Sequence, residues 1–256
     1  MGNNQHPTPN IQHPMFPLYP NPHPSHGSGR SCLRVGRNGA AFMIAAIGIG
    51  VVFAANCLAQ DIAMTPTKRI DLFNGKDFGG WHFTSRSNSP PEATWAVTNG
   101  VIHCTGQPYG YASTVTPYRD YKLTVEWRFV KIAPKADNSG IFVQINGPDK
   151  VWPACVEVQG AHGKQGDLRM NGGATCKGHE TAETKNADSQ APSNEKPPGE
   201  WNTFEVECAG DAIKLWTNGK LMNQITGCSA SSGEIGIQSE GGEIEVRKMF
   251  VEPMKH

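Results

Sequence analysis

From Asp71 onward apolar and polar residues alternate with a period near two, in short runs bounded by Gly, Asn and Pro. The alternation predicts strands at 95–98, 101–104, 122–130, 140–145, 154–159, 203–208, 213–217, 234–238 and 243–251. AVTNGVIHC and IKLWTNGKLM each place Asn-Gly between β-rich runs, the dipeptide a type I′ hairpin requires because both central residues take positive φ. No amphipathic helix longer than about two turns is legible. Roughly a dozen short strands in one chain of this length predict an all-β domain, a β-sandwich or jelly roll, over residues 66–254. A surface excursion from Gly160 to Glu200 interrupts the rhythm, too long for a plain connection and too polar for core. It reads as the rim of a cleft, flexible between Thr181 and Pro198, with His162 and Arg169 near its start.

The same alternation sorts each strand into two faces. Glu126 and Arg128 share one face of LTVEWRF, Glu157 and Gln159 one face of CVEVQG, and Gln238 and Glu240 one face of GIQSEGG. Such polar rows also line the solvated side of an ordinary antiparallel sheet. Here they combine carboxylate, guanidinium and carboxamide groups, the chemistry that a jelly roll's concave face uses to bind sugars. Among the Trp residues, Trp152 in NGPDKVWPA is the candidate for stacking on a sugar ring, and the others read as core.

Residues 1–59 follow a different pattern. Residues 1–29 are rich in Pro, Asn and His and predict disorder, and the basic region through 38 completes that tail. The spacing of His6, His13, His23 and His26 fits no closed metal site, and a true start at Met15 is a second account of the tail. Arg30, Arg34 and Arg37 then precede an apolar segment at 39–59 that reads as a signal peptide cleaved after Ala59. An uncleaved N-terminal membrane anchor is the alternative, and either version sends the domain to the periplasm or the extracellular space. Membrane attachment would rest on 39–59 alone. Asn56 before Cys57 argues against a lipoprotein.

Charge bears out the division. The chain holds 23 Lys+Arg against 23 Asp+Glu, yet no acidic residue precedes Asp61, so the segment from Asp61 onward carries 20 basic against 23 acidic side chains. With no basic excess, nucleic acid is not an expected partner. Five cysteines fall in the exported part, Cys104, Cys155, Cys176, Cys208 and Cys228, an odd number with no zinc-like spacing, so at most two disulfides can form. No GxSxG, no Cys-His pair and no phosphate-cradling Gly loop is present.

The ordered set DLFNGKDFGGWHF, WAVTNGVIHCTG, YKLTVEWRF, NSGIFVQ, VWPACVEVQ, GEWNTFEVECAGDAIKLWTNGKL and GEIGIQSEGGEIEVRKM resembles the 3-keto-disaccharide hydrolase family, also described as 3-keto-glucoside-1,2-lyase/3-keto-2-hydroxyglucal hydratase. The resemblance spans about Ile70 to Glu252 and implies a concanavalin A-like lectin/glucanase jelly roll. It also implies a reaction on a glucoside already oxidised at C3 by a separate sugar 3-oxidoreductase. The ketone acidifies the C2 proton, a base removes it, the C1–O bond breaks by elimination, and water adds back. On that basis Glu157 is assigned as base, Glu126 or Glu240 as acid, and Arg128 with Asn138 as holders of the enolate oxygen. Ser139, Gln159, Gln238 and Trp152 complete the expected substrate contacts. No cofactor is expected, with one opening: His162 beside Glu157 could act as a second base or hold a divalent metal. Gln144 stands where the family usually has Arg in NSGIFVR, and the segment after Gln159 is enlarged, so the substrate stays open. Two competitors share the fold: a retaining glucanase, which needs two carboxylates about 5–5.5 Å apart, and a non-catalytic carbohydrate-binding module.

Overall fold

A computed structural model describes residues 63–87, 89–131 and 138–254. The expected tail at 1–38 and apolar segment at 39–59 lie outside the described residues. The strands are β1 (Ile70–Asp71), β2 (Trp81–Ser85), β3 (Trp95–Thr98), β4 (Val101–Cys104), β5 (Gly110–Thr114), β6 (Tyr121–Phe129), β7 (Gly140–Asn146) and β8 (Ala154–Gln159). They continue with β9 (Leu168–Asn171), β10 (Asn186–Ala187), β11 (Asn202–Ala209), β12 (Ala212–Thr217), β13 (Lys220–Ile225), β14 (Glu234–Ser239) and β15 (Ile244–Glu252). The one helical element among the described residues is a 3-10 turn at Pro91–Ala93.

Two antiparallel sheets form a sandwich. One runs β13-β12-β11-β6-β15-β4-β3 with β1 beside β15, and the other runs β10-β9-β8-β7-β14-β5-β2. Alternation in β6 buries Leu123, Val125, Trp127 and Phe129 against the facing sheet. That sheet contributes Ile141, Val143, Val156, Val158, Leu168, Ile235 and Ile237 to the same core. Each fully buried aliphatic side chain stabilises the fold by about 1.5–3 kcal/mol. Both Asn-Gly turns adopt the backbone their sequence demands, with φ of 53° and 78° at Asn99-Gly100 and 49° and 80° at Asn218-Gly219.

Several strands are invisible to the alternation pattern, each for a local reason. All five residues of β5 are buried, so its two faces do not differ in polarity. Strands β9 and β10 give the 160–200 excursion order that its composition hides, because they hydrogen-bond outward from β8 as the edge of the sheet. Between Val143 and Asn146 the β7–β8 register shifts, and Gln144 takes φ +57° at that bulge. The bulge removes Gln144 from simple alternation: its side chain is buried, with Nε2 donating to the Gly210 carbonyl at 3.4 Å.

Candidate active site

The sheet that contains β8 has its apolar residues turned inward, so its remaining side chains form an outer face. Register places Phe142 of β7 opposite Glu157 of β8, and Glu157 opposite Arg169 of β9. On the other side of β7, β14 brings Gln238 opposite Tyr111 of β5. Tyr111, Phe142, Ile145 and Cys155 make a small apolar cluster of their own on this outer face. Glu157 stands at its border, 2% exposed, on a cleft of about 610 Å³ whose lining includes Trp152, Arg169, Asn171, His179, Lys185 and Glu240.

That position sets the chemistry of Glu157. One carboxylate oxygen accepts from Asn171 Nδ2 at 2.6 Å, while Oε1 is buried with no hydrogen-bond partner among the described residues. Burial is the largest influence and pushes the carboxyl up to about 7; Asn171 opposes it, Glu240 adds to it, and Arg169 and Lys185 pull it back. A carboxyl on a cleft with a proton affinity near neutrality is suited to proton transfer.

Glu240, just beyond β14, is held by two donors. Asn138 Nδ2 lies 2.7 Å and Gln238 Nε2 2.6 Å from its Oε2, and Trp152 lines the same cleft. Burial nevertheless raises its carboxyl above the ordinary range, with Trp152, Arg169 and Gln238 opposing. Trp152 is 37% exposed and meets Tyr109 edge to face at 6.4 Å. The Arg86 guanidinium lies 5.2 Å from the Trp152 ring centroid and 5.5 Å from that of Tyr109. Glu240 thus has an aromatic flank that can stack on a sugar ring.

Of the residues singled out in the sequence, Glu157, Glu240, Asn138, Gln238 and Trp152 meet at or beside this cleft. Ser139 and Gln159 support it from beneath: Ser139 Oγ donates to the Gln238 carbonyl at 2.8 Å, and Gln159 Oε1 accepts the Ala161 N–H at 2.7 Å. Three expectations about position need correction. Glu126 and Arg128 lie on β6, in the opposite sheet, with their side chains on its outer face, because the outward rows of two stacked sheets point in opposite directions. There Glu126 pairs with Arg247 and Lys248. Arg128 pairs with Glu245 at 2.6 Å, donates to the Gly199 carbonyl and lies 4.4 Å from the Trp201 ring centroid. Neither can act with Glu157. His162 is close to Glu157 in sequence, yet its partner is Glu195, and it does not line the cleft. Among the described residues no three His, Cys, Asp or Glu side chains gather into a metal-binding group.

Arg169, legible in the sequence only as part of the excursion, and Asn171 and Lys185, which the sequence does not single out, are site residues. The signal for the first two is present in LRMN, where Leu168 and Met170 enter the core and Arg169 and Asn171 face out. Four residues inside a polar excursion are too few to stand out. Gly140 explains why its position carries no side chain: a Cβ there would lie 2.9 Å from the Val158 carbonyl oxygen and 3.0 Å from Glu157 Oε1. Gly140→Ala should therefore displace the Glu157 carboxyl and lower turnover roughly tenfold or more, with the circular dichroism spectrum of the sheet retained. Wild-type kcat in that variant would show that the position of Oε1 is unimportant.

Solved structures place the architecture. A protein from Parabacteroides distasonis ATCC 8503 described as a glycosyl hydrolase aligns over 73% of this chain and 94% of its own at 19% identity and a TM-score of 0.55. A second from the same organism, with the same description, aligns over 73% and 100% at 22% identity and 0.53. The carbohydrate recognition domain of Emp46p, in its metal-free form, aligns over 73% and 96% at 10% identity and 0.51. The fold is the two-sheet sandwich of lectins and glycosyl hydrolases, here with two carboxyls and an aromatic edge on one outer face. The sequence profile of the 3-keto-alpha-glucoside-1,2-lyase-like domain matches residues 68–252, and the chain belongs to that family. It is a carbohydrate-active protein. A search of curated protein sequences found no significant match.

Proposed function

We propose that this protein cleaves 3-keto-glucosides by elimination and rehydration, with Glu157 as the base. One observation carries the reading: a carboxyl 2% exposed and raised to about 7 lines a cleft with a second raised carboxyl and a cation. The ketone at C3 makes the C2 proton removable by a carboxylate, which a normal sugar does not allow. Glu157 takes that proton, and Arg169 holds the negative charge that develops on the C3 oxygen. Collapse of the enolate forms the C1–C2 double bond and expels the C1 oxygen, which takes a proton from Glu240. Water then adds at C1 and gives a proton to Glu240, while Glu157 returns its proton to C2. The sum is hydrolysis, with 3-keto-glucose and the free alcohol as products.

The Trp152–Tyr109 edge lies on the Glu240 side, so the leaving group is assigned to it. These steps draw on no cofactor. A separate sugar 3-oxidoreductase supplies the ketosugar, and the leader at 39–59 takes the enzyme to the periplasm or the outside of the cell, released or anchored. The glucanase reading keeps one supporting observation, Glu240 beside Glu157. Incubating the purified chain with a 3-keto-glucoside and with its unoxidised parent separates the two. Cleavage of the ketosugar alone is the expected result; cleavage of the parent means a glucanase, and binding of either without turnover means a carbohydrate-binding module.

A further inference from the structure

Beyond the carboxyl site, the structure brings together two of the five cysteines. Residues 175–177, in the excursion between β9 and β10, run alongside 226–229, in the connection from β13 to β14. Lys177 N–H donates to the Thr226 carbonyl at 2.9 Å and Ser229 N–H to the Thr175 carbonyl at 2.8 Å. These bonds bracket Cys176 and Cys228 and place their sulfurs side by side, 2.6 Å apart in a buried position. Gly227 lets the segments approach this closely, since a Cβ there would lie 3.1 Å from Lys177 Cβ. Cys104 and Cys155 are buried elsewhere in the sandwich, and Cys208, though near enough to Cys228 for their charges to interact, makes no sulfur–sulfur contact among the described residues.

We infer that Cys176 and Cys228 are a disulfide site, and that the bond fixes one wall of the catalytic cleft. Thr175, His179, Glu180, Thr181 and Ala182 all line that cleft. His179 N–H donates back to the Cys176 carbonyl at 2.8 Å, so the wall begins at this cysteine. Cys228 lines a second hollow of about 510 Å³ that shares Gly173 and Ala174 with the cleft. The link therefore joins the excursion to the body of the sandwich at the point where the two hollows meet. Its formation removes two protons and two electrons from the thiols. A small-molecule or protein disulfide accepts the electrons and leaves as two thiols, by way of a mixed disulfide with one of the pair. Compartments outside the cytoplasm hold such oxidants.

The test uses the whole purified chain and is independent of its catalytic activity. The protein is equilibrated in oxidised and reduced glutathione, denatured, alkylated and digested, and the peptides are weighed. In oxidising buffer alkylation at 176 and 228 should be lost and one linked peptide pair should appear, while Cys104, Cys155 and Cys208 remain alkylated. Hydrogen exchange of the native protein should then rise on reduction across residues 175–187 and stay unchanged across β6. Full alkylation at both positions in oxidising buffer, a Cys208–Cys228 link instead, or exchange in 175–187 indifferent to reduction would each overturn the inference.

Discussion

Glu157→Gln is expected to lower release of 3-keto-glucose by about 10²–10⁴-fold and, in the same molecule, to stabilise the fold above neutral pH. The first effect follows from removing the base. The second follows from the sign of its pKa shift. In the folded protein the carboxyl sits at about 7, above its ordinary 4.5, so the native state binds this proton more tightly than the unfolded chain does. Its contribution to stability is complete below the ordinary value and is lost as pH rises through about 7, where a buried charge must be carried. A shift of this size corresponds to roughly 3 kcal/mol. Glutamine keeps an oxygen to accept from Asn171 and carries no charge at any pH. Melting curves of both proteins should therefore nearly coincide at pH about 4 and separate by several degrees at pH about 9, with the variant higher. Retained turnover would remove Glu157 from the mechanism. Equal melting at both pH values would mean that its carboxyl is hydrated.

That antagonism between stability and chemistry also shows which parts of the protein are legible in the sequence. Alternation reports one buried and one exposed face, so β6 and β11 stand out, and the Asn-Gly turns fix the hairpins they join. It fails in β5, where both faces are buried, and in β9, where four residues are too few to show a period. Alternation also cannot tell which sheet a strand joins. Glu126-x-Arg128 and Glu157-x-Gln159 look alike as patterns, yet β6 and β8 belong to different sheets and their outward rows face opposite directions. The first pair is therefore a salt-bridged surface and the second the border of a cleft. Arg169 and Asn171 become site residues only through the pairing of β8 with β9, which the short alternation of LRMN does not reveal. The motifs of the resemblance carry Asn138, Glu157 and Gln238, which the fold brings together on β7, β8 and β14 or beside them, and equally Glu126 and Arg128, which β6 puts on the other sheet; Glu240 comes from sharing a face with Gln238.

Glu240→Gln should change the shape of the pH profile as well as its height. The charge of Glu240 raises the Glu157 carboxyl, so the two titrate as a pair that shares one proton, and the proposed active form is the one that carries it on Glu240 rather than on Glu157. Burial raises both carboxyls, which places the single-proton range above the ordinary carboxylate value and ends it at about 7, where the last proton leaves. For a substrate with an alkyl or sugar leaving group, wild-type kcat/KM should thus be bell-shaped and fall as pH rises through about 7. Glutamine at 240 cannot donate the proton to the leaving oxygen, although it still offers an oxygen to the amides of Asn138 and Gln238. Turnover of that substrate should drop by about 10²–10⁴-fold. The alkaline decline should vanish, leaving a single rise to a plateau. That rise should lie below 7, because the charge of Glu240 no longer raises Glu157. A 3-keto-glucoside with a nitrophenol leaving group needs no acid at C1, so Glu240→Gln should retain most of the first-turnover rate of nitrophenol release on that substrate, while the later hydration step, which also uses Glu240, slows. Equal losses on both substrates, or a bell that survives the substitution, would assign the acid to another group and leave Glu240 as an acceptor for Asn138 and Gln238.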